Sequence, residues 1–157
     1  MVGQLDSAVT FGVVLPSLLV AHNVADHWVQ TSHQSGHKHL RSWTGRWNCA
    51  KHVATYTAVT AGVVGLVWAV LGLSITLVGF VAGQLVSAVT HYWADRRFML
   101  KRLVERLGLG GFYRLGAPRT GKDDNPHLGT GAYVLDQSWH WAWLFVAALV
   151  TAVVGGV

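Results

Sequence analysis

The chain has 157 residues, 52% of them hydrophobic and 12% charged, with a formal net charge of +5 and a mean hydropathy of +0.36. That balance is too apolar for an ordinary water-soluble domain of this length and too unbroken for a disulfide-stapled scaffold. The lone cysteine, Cys49, excludes an internal disulfide, and with no Lys or Arg before residue 38 the basic start of a secretory signal is missing.

One domain fits this length, organised around four apolar segments of about the 20 residues that a spanning helix needs. The first, residues 8–29, opens with "AVTFGVVLPSLLV" and then acquires His22, Asp26 and Gln30, each four residues after the last. A polar stretch, 30–51, follows, with His33, His37 and His39 in a His-rich loop that is either solvated or able to scavenge metal. The second segment, 52–71, starts at His52; Cys49, three residues earlier, is a weaker thiolate candidate. Only "GLS", residues 72–74, separates it from the third segment, 75–95, so the two are antiparallel neighbours. The third leaves through "THYWADRR", with Gln84, Ala88, His91 and Asp95 on one stripe.

The loop 96–131 has two parts. "RRFMLKRLVERLG" puts Met99, Leu100, Leu103, Val104 and Leu107 on one face, a basic amphipathic helix that lies on the inner leaflet or packs on the bundle. The glycine-rich remainder is expected to form a flap over the bundle's mouth, with Arg114, Arg119 and Lys122 offering charge to an anionic group. Its "GAPRTGKD", residues 116–123, approaches a phosphate-binding loop, but Asp123 stands where Ser or Thr would hold magnesium, and no strand precedes it. The fourth segment, 132–154, enters through "LDQSWHW", with Asp136, Gln137 and His140, and ends without a polar face, which disfavours a soluble bundle.

The expected fold is therefore an all-α membrane protein, a four-transmembrane-helix bundle. All twelve Lys and Arg fall in 30–51 or 96–131, which places both loops in the cytoplasm and both termini outside. Seven of the eight Trp (all but Trp68) lie near the cytoplasmic ends, where an amphipathic ring is favoured. The expected location is the cell (plasma or inner) membrane, multi-pass, with the bilayer and anionic lipid headgroups as partners. No nucleic-acid partner is expected; a homo-oligomer stays open.

Three of the four segments carry His and Asp four residues apart: His22 and Asp26, His91 and Asp95, Asp136 and His140. The spacing puts both side chains on one helical face. The order reverses in the fourth segment, which runs the other way, so every Asp lies at the cytoplasmic level and every His one turn deeper. Random placement gives roughly 0.7 such pairs, and four occur, the other being Asp123 and His127 around "NP" in the loop. With His52, four helices deliver seven groups to one end of the bundle. Ionisable groups in a span are costly unless paired, hydrated or bound to an ion. A metal centre of His22, Asp26, His52, His91, Asp95, Asp136 and His140 follows, zinc first and manganese or iron next, with two ions or with some Asp residues orienting His ligands. A metal-free Asp–His network and a proton or ion relay are the alternatives.

The ordered set H-x-x-x-D-x-x-x-Q (His22, Asp26, Gln30), a lone His52, H-x-x-x-D (His91, Asp95) and D-Q-x-x-H (Asp136, Gln137, His140) resembles the small bacterial and phage membrane proteins catalogued as domain of unknown function 3307. The resemblance spans residues 22–140. It implies a membrane protein with this polar set and supplies no activity. Members often carry Lys soon after the second Asp; Arg96 and Arg97 stand there in this chain.

The leading functional expectation is a metal-dependent membrane hydrolase acting on an anionic, membrane-associated substrate such as a lipid phosphate. A bound metal would activate water, Asp26 or Asp136 would act as general base, and Gln30, Gln137, Arg119 and Lys122 would contact substrate. Two other classes stand beside it. One is a non-enzymatic factor acting on the phage or host envelope, with a structural metal or polar network. The other is a metal or proton transporter, which needs polar residues reaching the outer face; those halves offer almost none.

Overall fold

The computed structural model describes residues 2–122 and 129–154, and these form helices and no strand. Helix α1 (Val2–Val24) runs into a five-residue π turn, Ala25–Val29. Short α2 (Ser32–His37), long α3 (Trp43–Leu71) and α4 (Leu77–Asp95) follow. Two short helices, α5 (Phe98–Arg106) and α6 (Gly110–Tyr113), precede α7 (Gly131–Val153). The Asp123–His127 pair and the Asp123 end of "GAPRTGKD" lie outside the described residues.

Side-chain caps define the helix starts. Ser42, Thr76 and Thr130 accept from the backbone N–H groups of Gly45, Gly79 and Tyr133 at 3.2, 3.0 and 3.2 Å, satisfying donors that a first turn leaves open. Ser42 thus starts α3 at Trp43 rather than at His52, and His52 sits well inside the helix. Gly72, at φ 61°, ends α3 in the left-handed conformation that glycine adopts without steric cost. Part of the His-rich stretch is helical too, because Thr31 and Gln34 form a reciprocal capping box at the start of α2.

The four long helices close into a ring in the order α1, α3, α4, α7. The α4–α7 contact is the most intimate, and the reason is "GFVAG", residues 79–83. A Cβ on Gly83 would stand 2.0 Å from Thr151 Oγ1 and 2.8 Å from the Ala147 carbonyl; one on Gly79 would stand 2.6 Å from the Val154 carbonyl. Small residues four apart let two helix backbones approach this closely. The hydroxyl of Thr76 adds a 2.7 Å bond to the Val154 carbonyl.

Val14, Leu18, Val64, Leu73, Ile75, Leu144, Ala147 and Ala148 form the apolar core in one part of the ring. The interior toward the other end is polar, while outward faces carry Leu5, Val9 and Val20 on α1, Leu66 and Val70 on α3, Leu77, Val81, Leu85 and Val89 on α4, and Phe145 and Val153 on α7. Two stretches, Gly3–Val29 and Trp43–Leu71, are long and apolar enough to cross a membrane, each with a mean hydropathy of 1.7. Helix α5 turns Leu100 and Val104 inward, and Leu107, which follows its last turn, is 63% exposed.

Candidate metal centre

The polar end of the ring is assembled from the inner faces of the four long helices and the π turn. Helix α3 contributes the ridge His52, Tyr56, Thr60, Val64, four residues apart and all fully buried. Helix α4 answers with Gln84, Ser87, His91 and Asp95. Tyr56 and Ser87 share a 2.7 Å hydroxyl bond, and Thr60 donates to Gln84 Oε1 at 2.8 Å. These cross-helix bonds set the register of α3 against α4, and the Tyr56 ring stacks on His91 with 3.9 Å between centroids.

That register brings His52 Nε2 to 3.0 Å from His91 Nε2. Asp95 Oδ2 lies 3.2 and 3.3 Å from the two nitrogens. Asp26 Oδ1 lies 3.3 and 3.5 Å from the same pair. The four atoms make two triangles that share the His52–His91 edge. Two ligands of a tetrahedral ion with bonds of about 2.0 Å stand about 3.3 Å apart, so both triangles have the size of a metal's ligand face.

Hydrogen bonding in this group is poorly directed, and a proton shared between the two Nε2 atoms would leave one nitrogen with only a lone pair toward both carboxylates. Accordingly Asp26 Oδ1 and Asp95 Oδ2 are buried and make no well-directed hydrogen bond. Buried carboxylate oxygens without donors are costly, and a cation among them removes the cost. The donor set, imidazole nitrogen with carboxylate oxygen, suits zinc, manganese or iron.

Further groups surround the four. His22 is fully buried, with Nδ1 at 3.7 Å from Asp26 Oδ2 and Nε2 at 3.5 Å from Gln137 Oε1. His22, Asp26 and His91 form one triad whose ligand atoms fall within 4.8 Å of one another; His52, His91 and Asp95 form another. His140 packs its ring 4.4 Å from His91 and 5.0 Å from His22, centroid to centroid. Its Nδ1 lies 2.8 Å from the Asp136 carbonyl, which accepts only, so Nδ1 carries the proton and neutral His140 presents the lone pair of a buried, unpartnered Nε2. Asp136 lies outside both triads: its Oδ2 is 3.7 Å from His140 Nδ1, and its side chain is 29% exposed and lines a cavity of about 280 Å³ with Arg97, Leu100, Tyr113, Thr130, Ala132 and Tyr133.

The remaining expected residues are spread out. Gln30 closes the π turn through its backbone N–H to the Ala25 carbonyl, and its side-chain nitrogen is buried without a partner. Arg119 and Lys122 lie on an exposed stretch of the loop, joined by a turn bond from the Lys122 N–H to the Arg119 carbonyl, and neither is among the residues lining the cavity beside Asp136. The loop is tied at its base, where the Gly131 N–H donates to the Leu115 carbonyl at 2.8 Å. His33 and His37 pair with each other on α2, and Cys49 directs its sulfur to the Tyr92 carbonyl at 3.8 Å.

Three contributors are absent from the sequence expectations. Lys38 is buried, and its ammonium meets Asp95 Oδ1 at 2.7 Å, the oxygen opposite the one that faces the histidines. Arg96 is 3% exposed and donates to the Lys38 and Leu40 carbonyls at 2.8 and 2.6 Å, which pins the segment after α2 over the site. Tyr56 is the third; its four-residue spacing from His52 was the available signal. Outside the long helices, His39 is held below the ordinary imidazole value by partial burial and by the neighbouring Arg97 and Arg96 guanidinium groups. Burial pushes the Tyr113 phenol up.

A family model described as protein of unknown function (DUF3307) matches residues 14–156, nearly the whole chain and all of the residues just described. No curated protein and no solved structure matches the chain.

Proposed function

The chain belongs to the DUF3307 family, and we propose that it is a multi-pass membrane protein with a divalent metal centre, zinc first, that hydrolyses an anionic, membrane-associated substrate. The observation that carries the metal is the pair of triangles on His52, His91, Asp26 and Asp95, with edges of 3.0–3.5 Å and two carboxylate oxygens that make no well-directed hydrogen bond. Four spans are supported by the inverted pattern of the ring. His, Asp, Gln and Thr are inside, and Leu, Val and Phe face out on all four long helices. With both basic stretches at the centre's end, the positive-inside rule puts that end in the cytoplasm of the plasma or inner membrane.

A metal at this site supplies Lewis acidity and a bound water of lowered pKa. The chain's own residues divide as follows. His52, His91, Asp95 and Asp26 hold the ion; Lys38 orients Asp95 from its far oxygen. His22 and His140 line the same chamber one layer further in. Asp136 lies outside both ligand triads, on a cavity wide enough for a small substrate, and is the general base.

The test is elemental analysis of protein purified without chelator, joined to a screen of phosphate-ester hydrolysis in mixed micelles. About one ion or more per chain, with turnover that chelator abolishes and Asp136→Asn impairs, is the expected result. Bound metal without turnover on any ester would leave a structural metal in a non-enzymatic membrane factor. Absence of metal would sink the centre itself.

A further inference from the structure

The cavity beside Asp136 is not isolated. A second cavity, of about 390 Å³, is lined by His39, Leu40, Arg41, Phe98 and Lys101, and it shares Arg97 and Tyr113 with the first. Arg97 and Tyr113 border both, so the two cavities adjoin: one reaches the Asp136 carboxylate, and the other, the mouth, is rich in cations.

The mouth has a strong excess of positive charge. Phe98 has the Arg41, Arg96 and Arg102 guanidinium carbons at 4.8, 5.5 and 5.8 Å from its ring centroid, which gathers three like charges around one aromatic ring. Arg96 spends its donors on backbone carbonyls. The ion pair formed here with a carboxylate is a long, exposed one, Lys101 to Glu105 at 3.9 Å. Arg97 is held at φ 46°, the one non-glycine residue with positive φ among the described residues. Such backbone strain in a bulky residue persists where the surroundings impose it, and it clusters at binding sites. Arg97 lines both cavities.

We propose that this mouth is a phosphate-binding subsite, with Arg97 and Arg41 as its fork donors and Lys101 as a point charge. The substrate is then a phosphate-bearing molecule whose phosphate rests at the mouth and whose other end passes Tyr113 toward Asp136. Guanidinium and phosphate match bidentately. The subsite stands on the two cavities alone, whereas the direction of the substrate rests on the function proposed above. The phosphate could belong to a lipid headgroup or to a soluble ester.

The whole protein in neutral detergent would be titrated with phosphatidic acid, diacylglycerol, glycerol 3-phosphate and inorganic phosphate, with binding read by native mass spectrometry and calorimetry. Arg97→Gln should weaken phosphatidic acid binding about tenfold or more, Arg97→Lys should restore part of it, and Arg46→Gln, an equal loss of charge on α3, should leave it unchanged. Diacylglycerol should not compete. Binding of glycerol 3-phosphate with the same Arg97 dependence identifies a soluble ester as the source; binding confined to phosphatidic acid identifies the lipid. Equal losses in Arg97→Gln and Arg46→Gln, diacylglycerol binding as well as phosphatidic acid, or no phosphate binding by any probe overturns the subsite. Metal content is read in the same samples: metal present without Arg97-dependent binding fails the subsite only, and binding without metal fails the metal centre only. Unchanged helix content and thermal midpoint in Arg97→Lys guard against a folding artefact.

Discussion

His52 Nε2 and His91 Nε2 face each other across α3 and α4 at 3.0 Å, with a carboxylate oxygen from Asp95 and another from Asp26 within 3.5 Å of both. Two imidazoles so placed donate to the carboxylates, share one proton or share one ion. An ion predicts that His52→Ala and His91→Ala each lose metal together with thermal stability. Retention of full metal occupancy in both variants, by elemental analysis, would falsify the assignment of this edge.

Chelation makes a separate prediction. Without an ion, Asp95 stays buried and Asp26 largely so beside the same two histidines, and among the described residues the Lys38 ammonium meets Asp95 alone. Unpaired buried carboxylates are strongly unfavourable, so a chelator should lower the thermal midpoint and added zinc or manganese should raise it again. A midpoint indifferent to chelator would point to a metal-free Asp–His network.

Lys38 tests the second oxygen of Asp95. Its 2.7 Å contact on Oδ1 leaves Oδ2 to the histidines. Lys38→Met should therefore weaken metal affinity by ~10–100-fold, the size usual for removing a ligand's orienting partner. Competition with a calibrated chelator gives the number. An affinity equal to wild type would make Lys38 a mere anchor for the segment above the site.

Asp136 and the ligands should separate. Asp136→Asn is expected to keep its metal while hydrolysis falls by the ~10²–10⁴-fold of a lost general base. If the variant loses metal as completely as His91→Ala does, Asp136 is a ligand and the base lies elsewhere.

Gly83→Ala probes the packing that brings α7 to the centre. The new methyl would meet Thr151 Oγ1 and the Ala147 carbonyl, and a backbone oxygen cannot swing away. A cost of about 1–3 kcal/mol, typical of overpacking, should show as a lower unfolding midpoint in detergent. An unshifted midpoint would mean that α4 and α7 are not held this closely.

Much was legible in residue order. Helix class followed from the long apolar runs. The i, i+4 spacing put His22 with Asp26, His91 with Asp95 and Asp136 with His140 on common faces, because 3.6 residues per turn allows little else. Family membership was legible in the same ordered set. Helix starts were less so: α3 begins at Trp43 because Ser42 caps it, a local bond that an apolar-run criterion passes over. What the tertiary structure alone decided is which of these groups meet. His52 reaches His91 because Tyr56–Ser87 and Thr60–Gln84 bonds fix the stagger of two helices. Lys38 reaches Asp95 because Arg96 grips the carbonyls around it, across a long separation in sequence. Asp136 is turned to a cavity rather than to the ligands although its spacing from His140 is the same as that of the other pairs. Spacing along one helix sets which residues share a face; only the packing of one helix on another sets what that face meets.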